Sequence, residues 1–242
     1  MKKIDRTEFN NRVSELRFYI RSLKKLETLL EIDRTNEHGQ YLRKEIDSLE
    51  KKHKSSDLIA ILKANAYMVM YNLIEDTIRK IVEYIYLSIN EEQLIFSQYN
   101  KEYQELIRNY RLNIKSNPSS TTMARYSERL ISDILNDENI LLEINKFNLS
   151  GNANLKAIEK VCREHKIPIT INYVKKYKIE LDDIKKLRND LAHGNVSFVN
   201  ATRNKTIEDT NQCVLDIVHF LKYLMKKAEQ LIEKKGYRSV NN

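Results

Sequence analysis

About three quarters of the way along a 242-residue chain stands the run Arg188-Asn189-Asp190-Leu191-Ala192-His193-Gly194. In a helix Asn189 and His193, four residues apart, share a face, and Arg188 lies to the side on a stem long enough to reach round. Gly194 falls where a helix is expected to end, so the imidazole sits at a helix terminus rather than in mid-element. An imidazole titrates near neutrality, so it can take the proton of a ribose 2′-hydroxyl or deliver one to a leaving 5′-oxygen. A guanidinium can brace a phosphate as negative charge builds on it. Neither task needs a metal. Arg188, Asn189 and His193 are therefore the candidate catalytic set for RNA cleavage, with no metal ligand and no cofactor expected.

Spacing alone carries little weight. With 15 Arg and 5 His in the chain, an Arg followed five residues later by a His arises about 0.3 times by chance. The competing reading is structural: Arg188 and His193 complement the carbonyl end of a helix dipole, with Arg188 paired to a nearby Asp. Other catalytic signatures are absent from the sequence, which has no glycine-rich phosphate loop, no His-Glu-x-x-His and no Cys-x-x-Cys. Asp183-Ile184-Lys185 looks like the end of a nuclease carboxylate motif, but it falls in a helical pattern with no acidic partner on a neighbouring strand. Two cysteines, Cys162 and Cys213, imply no disulfide framework.

The formal charge of +8 is unevenly spread. Residues 1–56, 57–149 and 150–242 carry +4, −3 and +7, so the excess lies with the motif. A basic region suits nucleic acid, anionic lipid or an acidic protein, and charge alone does not choose among them. Lys175, Lys176, Lys178, Lys185 and Lys186 flank the motif as candidate phosphate contacts. Tyr173 and Tyr177 are candidate stacking platforms for unpaired bases; taken singly, each Tyr fits a partly buried amphipathic side chain better. The lysines of the last helix read as a solvated face.

The elements that must hold these residues are helices. Only 4 Gly and 2 Pro occur, too few to punctuate an array of strands, so the expected class is all-α. Phe9, Val13, Leu16, Ile20, Leu23 and Leu30 form a stripe that predicts one amphipathic helix over 6–33, packed as intramolecular core. A weaker helical pattern runs through Leu42, Ile46 and Leu49. Ser56 or Asp57 can cap a helix of about 58–89 that is apolar nearly all round and so must be central. Helices are further predicted over 91–112, 123–145 and 153–165, the last capped by Asn152 after a break at 150–152. Residues 167–171 read as an extended connector, 180–192 as the motif helix and 206–235 as the last helix. The implied organisation is an N-terminal helical segment at 1–56, a helical domain at 57–236 with a loop near 113–122, and a flexible tail at 237–242. No run of 18 apolar residues and no leader-like N-terminus appears, so a cytoplasmic protein without membrane attachment is expected.

Arg188-Asn189-Asp190-Leu191-Ala192-His193 resembles the Arg-polar-x-x-x-His motif of HEPN-domain proteins. Leu62-Lys63-Ala64-Asn65 through Tyr71-Asn72-Leu73-Ile74-Glu75, Leu149-Ser150-Gly151-Asn152, and His193-Gly194 leading to Phe198 resemble the cyanobacterial MAE-type subgroup. The resemblance covers roughly residues 58–232. It implies an antiparallel HEPN-like helical bundle with an additional N-terminal helical segment, acting as a metal-independent endoribonuclease. It further implies a homodimer whose two motif helices face each other, and a role as the toxin of a toxin–antitoxin pair or as a phage-defence nuclease. RNA and an antitoxin encoded nearby are the implied partners. Asn195 stands where HEPN toxins silenced by nucleotidylation carry Tyr, which argues against that form of control. The alternative is a non-catalytic HEPN-like module that binds RNA, a nucleotide or a partner protein.

Overall fold

Helices form where apolar residues recur at the helical period, some of them behind a side-chain cap such as Asn100, Ser119, Asn154 or Ser197. In the computed structural model, which describes residues 3–31, 37–112, 118–147, 149 and 153–239, they are α1 (Thr7–Glu31), α2 (Glu37–Leu49), α3 (Ser55–Asn90), α4 (Lys101–Arg111), α5 (Ser120–Leu135), α6 (Leu155–Glu164), α7 (Ile171–Val174), α8 (Lys178–Ala192), α9 (Phe198–Thr202) and α10 (Ile207–Glu233). Short 3-10 turns stand at Phe96–Gln98, Ile144–Lys146 and Lys175–Tyr177. Among the described residues there is no strand beyond two isolated bridges, Ile95 with Asn139 and Tyr99 with Arg238. The chain is all-α.

The contacts divide the chain into two compact units. The first comprises Met1–Ile4, Asp76–Lys175 and Leu221–Asn242; the second comprises Asp5–Glu75 and Lys176–Phe220. The division falls inside α3 and α10, two long helices without Gly or Pro, whose composition lets them run on unbroken.

The second unit contains the motif. The α1 stripe, from Phe9 to Leu30, is buried within the one chain. The Tyr19 hydroxyl donates to the Leu62 carbonyl at 2.7 Å, and Lys24 pairs with Glu208 at 2.8 Å, fixing α1 to α3 and α10. Asp57 caps α3 not as its first residue but from the third helical position, accepting the Lys54 amide at 3.1 Å. This hydrogen bond leads the interactions that hold its carboxyl below the usual value. Thr206 and Asp209 cap α10 reciprocally, each side chain accepting the other's amide at 3.0 Å.

In the first unit the helices expected from sequence need correction. Residues 91–112 are not one helix: a turn with Gln93 at φ 50° leads to the 3-10 turn, and α4 begins at Lys101. The cause is Asn100, whose side chain accepts the Tyr103 amide at 3.0 Å and starts a new helix there. Likewise α5, capped by Ser119, stops at Leu135 rather than running to 145. The cap of α6 is Asn154, accepting from the Ala157 amide at 3.0 Å; Asn152, expected in that role from sequence, lies outside the described residues. So do 113–117 of the expected loop. Residues 237–239 are held rather than loose. Tyr237 is buried, its carbonyl accepts the Asn100 amide at 3.0 Å, and the Arg238 Nε donates to Glu92 at 2.7 Å. Residues 240–242 lie outside the described part.

Candidate functional site

Helix α8 presents two faces. Leu181, Ile184 and Leu191 are buried, and Arg188 falls on the same face, seven residues after Leu181 and three before Leu191. Ile179, Lys186 and His193, at successive sevens, form the outer stripe, and all three are exposed. Arg188 and His193 thus leave the helix about 140° apart round its axis. Asn189 lies between them, about 40° from His193 by the same geometry.

The inward Arg188 is half-buried and held from two sides. Its guanidinium carbon stands 4.7 Å from the centroid of the Tyr71 ring on α3. One terminal nitrogen donates to Asn189 Oδ1 at 3.1 Å, so the long stem does reach round, towards the His193 side of the helix. The partner is an amide and a ring, not the Asp that a purely structural pairing suggested. Tyr71 is itself wholly buried, and its hydroxyl donates to Glu75 Oε1 at 3.2 Å one turn along α3.

His193 ends α8. Its amide donates to the Asn189 carbonyl at 3.0 Å, closing the last helical turn. Gly194 comes next at φ +70°, where a Cβ would meet nothing within 4 Å. The Gly194 amide returns to Leu191 at 3.3 Å and the Asn195 amide to Asp190 at 2.8 Å. This is a Schellman ending. It holds the imidazole at the rim of the unit, and no hydrogen-bond partner of its ring occurs among the described residues. An exposed imidazole can serve proton transfer, and a guanidinium held by a ring and an amide can brace an anion.

The candidate RNA contacts meet different fates. Tyr173 and Lys175 belong to the first unit; Lys176, Tyr177, Lys178, Lys185 and Lys186 belong to the second. The Tyr173 ring packs on Tyr223 with centroids 4.3 Å apart, and Tyr177 on Phe220 at 5.4 Å. Both rings therefore carry part of the packing. Lys178 pairs with Asp182 at 2.7 Å, and Lys185 is half-buried, while Lys175, Lys176 and Lys186 are exposed. Asp183 pairs with Lys205 at 3.0 Å, whose ammonium also stands 5.4 Å from the Tyr67 ring.

Other reactive groups lie elsewhere. Burial pushes the thiols of Cys162 and Cys213 up to about 12, which leaves them protonated and poorly nucleophilic near neutrality. A cavity of about 390 Å³ in the first unit, lined by Tyr86, Tyr110, Phe147 and His165 among others, includes neither Arg188 nor His193. Among the described residues no helix is long and apolar enough to cross a membrane. Tyr71 and Glu75 join the site only in three dimensions; their one signal in the sequence is a Glu one turn after a Tyr on a largely apolar helix.

The chain matches the MAE_28990-like HEPN family over residues 2–237. The match begins before α1 and so takes in α1 and α2. No curated protein and no solved structure matches.

Proposed function

Because the chain belongs to the MAE_28990-like HEPN family, we propose that it is a metal-independent endoribonuclease whose catalytic groups are Arg188, Asn189 and His193. The observation that carries this reading is the ending of α8, which puts His193 in solvent at the tip of the helix whose inner face seats Arg188. In the reaction the ribose 2′-oxygen attacks the adjacent phosphorus. The P–O2′ bond forms as the P–O5′ bond breaks, the 2′-proton passes to one imidazole, and the leaving 5′-oxygen takes a proton from an imidazolium. The products are a 2′,3′-cyclic phosphate and a 5′-hydroxyl. Arg188 braces the equatorial oxygens as charge builds on them, and Asn189 orients the guanidinium.

One imidazole is badly placed to act on both sides of an in-line displacement. Two copies of the chain, with their α8 tips facing, supply two His193 and divide the roles. Exposed lysines, Lys175, Lys176 and Lys186 among them, hold the RNA backbone without reading its bases. The enzyme acts in the cytoplasm as the toxin of a toxin–antitoxin pair or as a phage-defence nuclease. A second reading has one observation in its favour: Arg188 is already engaged by Tyr71 and Asn189, which suits a non-catalytic module that retains the motif to pack α8.

Cleavage of single-stranded RNA or tRNA in excess EDTA tests the first reading. The wild type is expected to leave 2′,3′-cyclic phosphate ends, and RNA bound but never cut favours the second. Mixed dimers of wild-type and His193→Ala chains are expected to be nearly inactive, because each keeps only one of the two imidazoles. Mixed dimers that cleave at half the wild-type rate or more rule out a shared site.

A further inference from the structure

We propose that Tyr71 is a positioning residue for Arg188: its ring fixes the guanidinium in the orientation in which it meets the scissile phosphate. The proposal rests on the nuclease reading of α8. Three observations carry it. The guanidinium lies over the ring at 4.7 Å, within the range of cation–π attraction. Tyr71 is wholly buried on a long helix, so the platform does not move with solvent. Its hydroxyl is committed to Glu75 at 3.2 Å, which anchors the far edge of the ring and keeps electron density on its face.

An arginine on a flexible stem would have to be ordered at each turnover, at a cost in side-chain entropy. Here that ordering is completed on folding. The ring restrains the guanidinium from the α3 side and Asn189 restrains it from the His193 side. The ring never touches RNA in this scheme and contributes only through Arg188.

The test uses the full chain with Tyr71→Phe and Tyr71→Leu. Phe keeps the platform and loses the Glu75 bond; Leu removes the platform. In wild-type protein the Arg188 Nε–H resonance is expected to be shifted by the Tyr71 ring current, to stay shifted in Tyr71→Phe and to return in Tyr71→Leu. Assayed well below its melting temperature, Tyr71→Leu is expected to lose about 10- to 100-fold in kcat, as for a misplaced catalytic group, with KM little changed. Tyr71→Phe is expected to stay within about threefold of wild type, since Phe also attracts cations. A rise in KM matching any loss of kcat would mark general damage and overturn the proposal. So would a Tyr71→Leu protein with unaltered kcat, or the lack of a ring-current shift, whether or not the wild type cuts RNA. A shifted resonance in a wild-type protein that cuts nothing would instead strike the nuclease reading, and the catalytic purpose of the seat with it.

Discussion

His165 and His193 end two helices with nearly the same backbone, φ/ψ −98°/8° and −95°/1°. Each is succeeded by a left-handed residue, Lys166 at φ 54° and Gly194 at φ 70°. In each, the amide two residues on returns to the helix at 2.8 Å, Ile167 to Cys162 and Asn195 to Asp190. Yet His165 is 1% exposed and both its ring nitrogens are engaged. Nδ1 faces the Val161 carbonyl at 2.9 Å and must donate to it, and in the neutral ring Nε2 then accepts from the Tyr86 hydroxyl at 3.0 Å. His193 is exposed, with no described partner. Local backbone therefore does not decide what a terminal histidine does. The side chain two residues later separates the two cases: Ile167 is buried and draws its turn inward, whereas Asn195 is polar and exposed.

The contrast breaks most sharply on activity. His193→Ala is expected to lower RNA cleavage by about 10²- to 10⁴-fold while leaving the melting temperature within a degree or so; comparable cleavage by the folded variant would remove His193 from the mechanism. His165→Ala should do the reverse. It empties a packed site and strands the Tyr86 hydroxyl, for a loss of about 2–4 kcal/mol in denaturant unfolding, with activity per folded molecule preserved.

Tyr86→Phe probes the buried partner. Loss of its bond to Nε2 should cost about 1–2 kcal/mol at neutral pH. Burial, first of all, raises the Tyr86 hydroxyl above its usual value. A group raised on folding contributes stability that is whole below the unfolded value, near 10, and that is lost as pH rises beyond it. Wild-type stability should therefore fall above about pH 10, and the Phe variant should fall less steeply. Equal alkaline slopes would show that Tyr86 is not responsible.

The smallest effects concern the residues after the two histidines. Gly194→Ala keeps its space but strains the backbone, and is expected to cost about 1 kcal/mol. Lys166→Gly relieves the same strain while losing an exposed pair with Glu102, and should gain about 0.5 kcal/mol. Opposite signs in a thermal melt support two equivalent endings; like signs do not.

Several of these elements are legible in the sequence. The α1 stripe, the long apolar α3, the α8 face of Leu181, Ile184, Leu187 and Leu191, of which Leu187 is only half-buried, and the Gly194 ending all come from period and cap, which are local properties of the chain. The interruption at 91–100 is only partly legible there: Asn100 is a local cap, but the apolar residues before it fit a helix, and their bridges, Ile95 with Asn139 and Tyr99 with Arg238, come from distant segments. For Tyr173 and Tyr177 the sequence offers both a stacking ring and a partly buried side chain, and in the fold each has a ring of its own chain against it.

The sequence by itself determined that the chain is helical, where α8 stops, and that His193 and Asn189 share a face, since helical spacing and a left-handed glycine act within a few residues. Only the tertiary structure decided that Arg188 points inward onto Tyr71, more than a hundred positions away, and that one terminal histidine is sealed while the other is open. Those outcomes depend on which side chains from distant segments arrive to exclude water, and no local pattern records them.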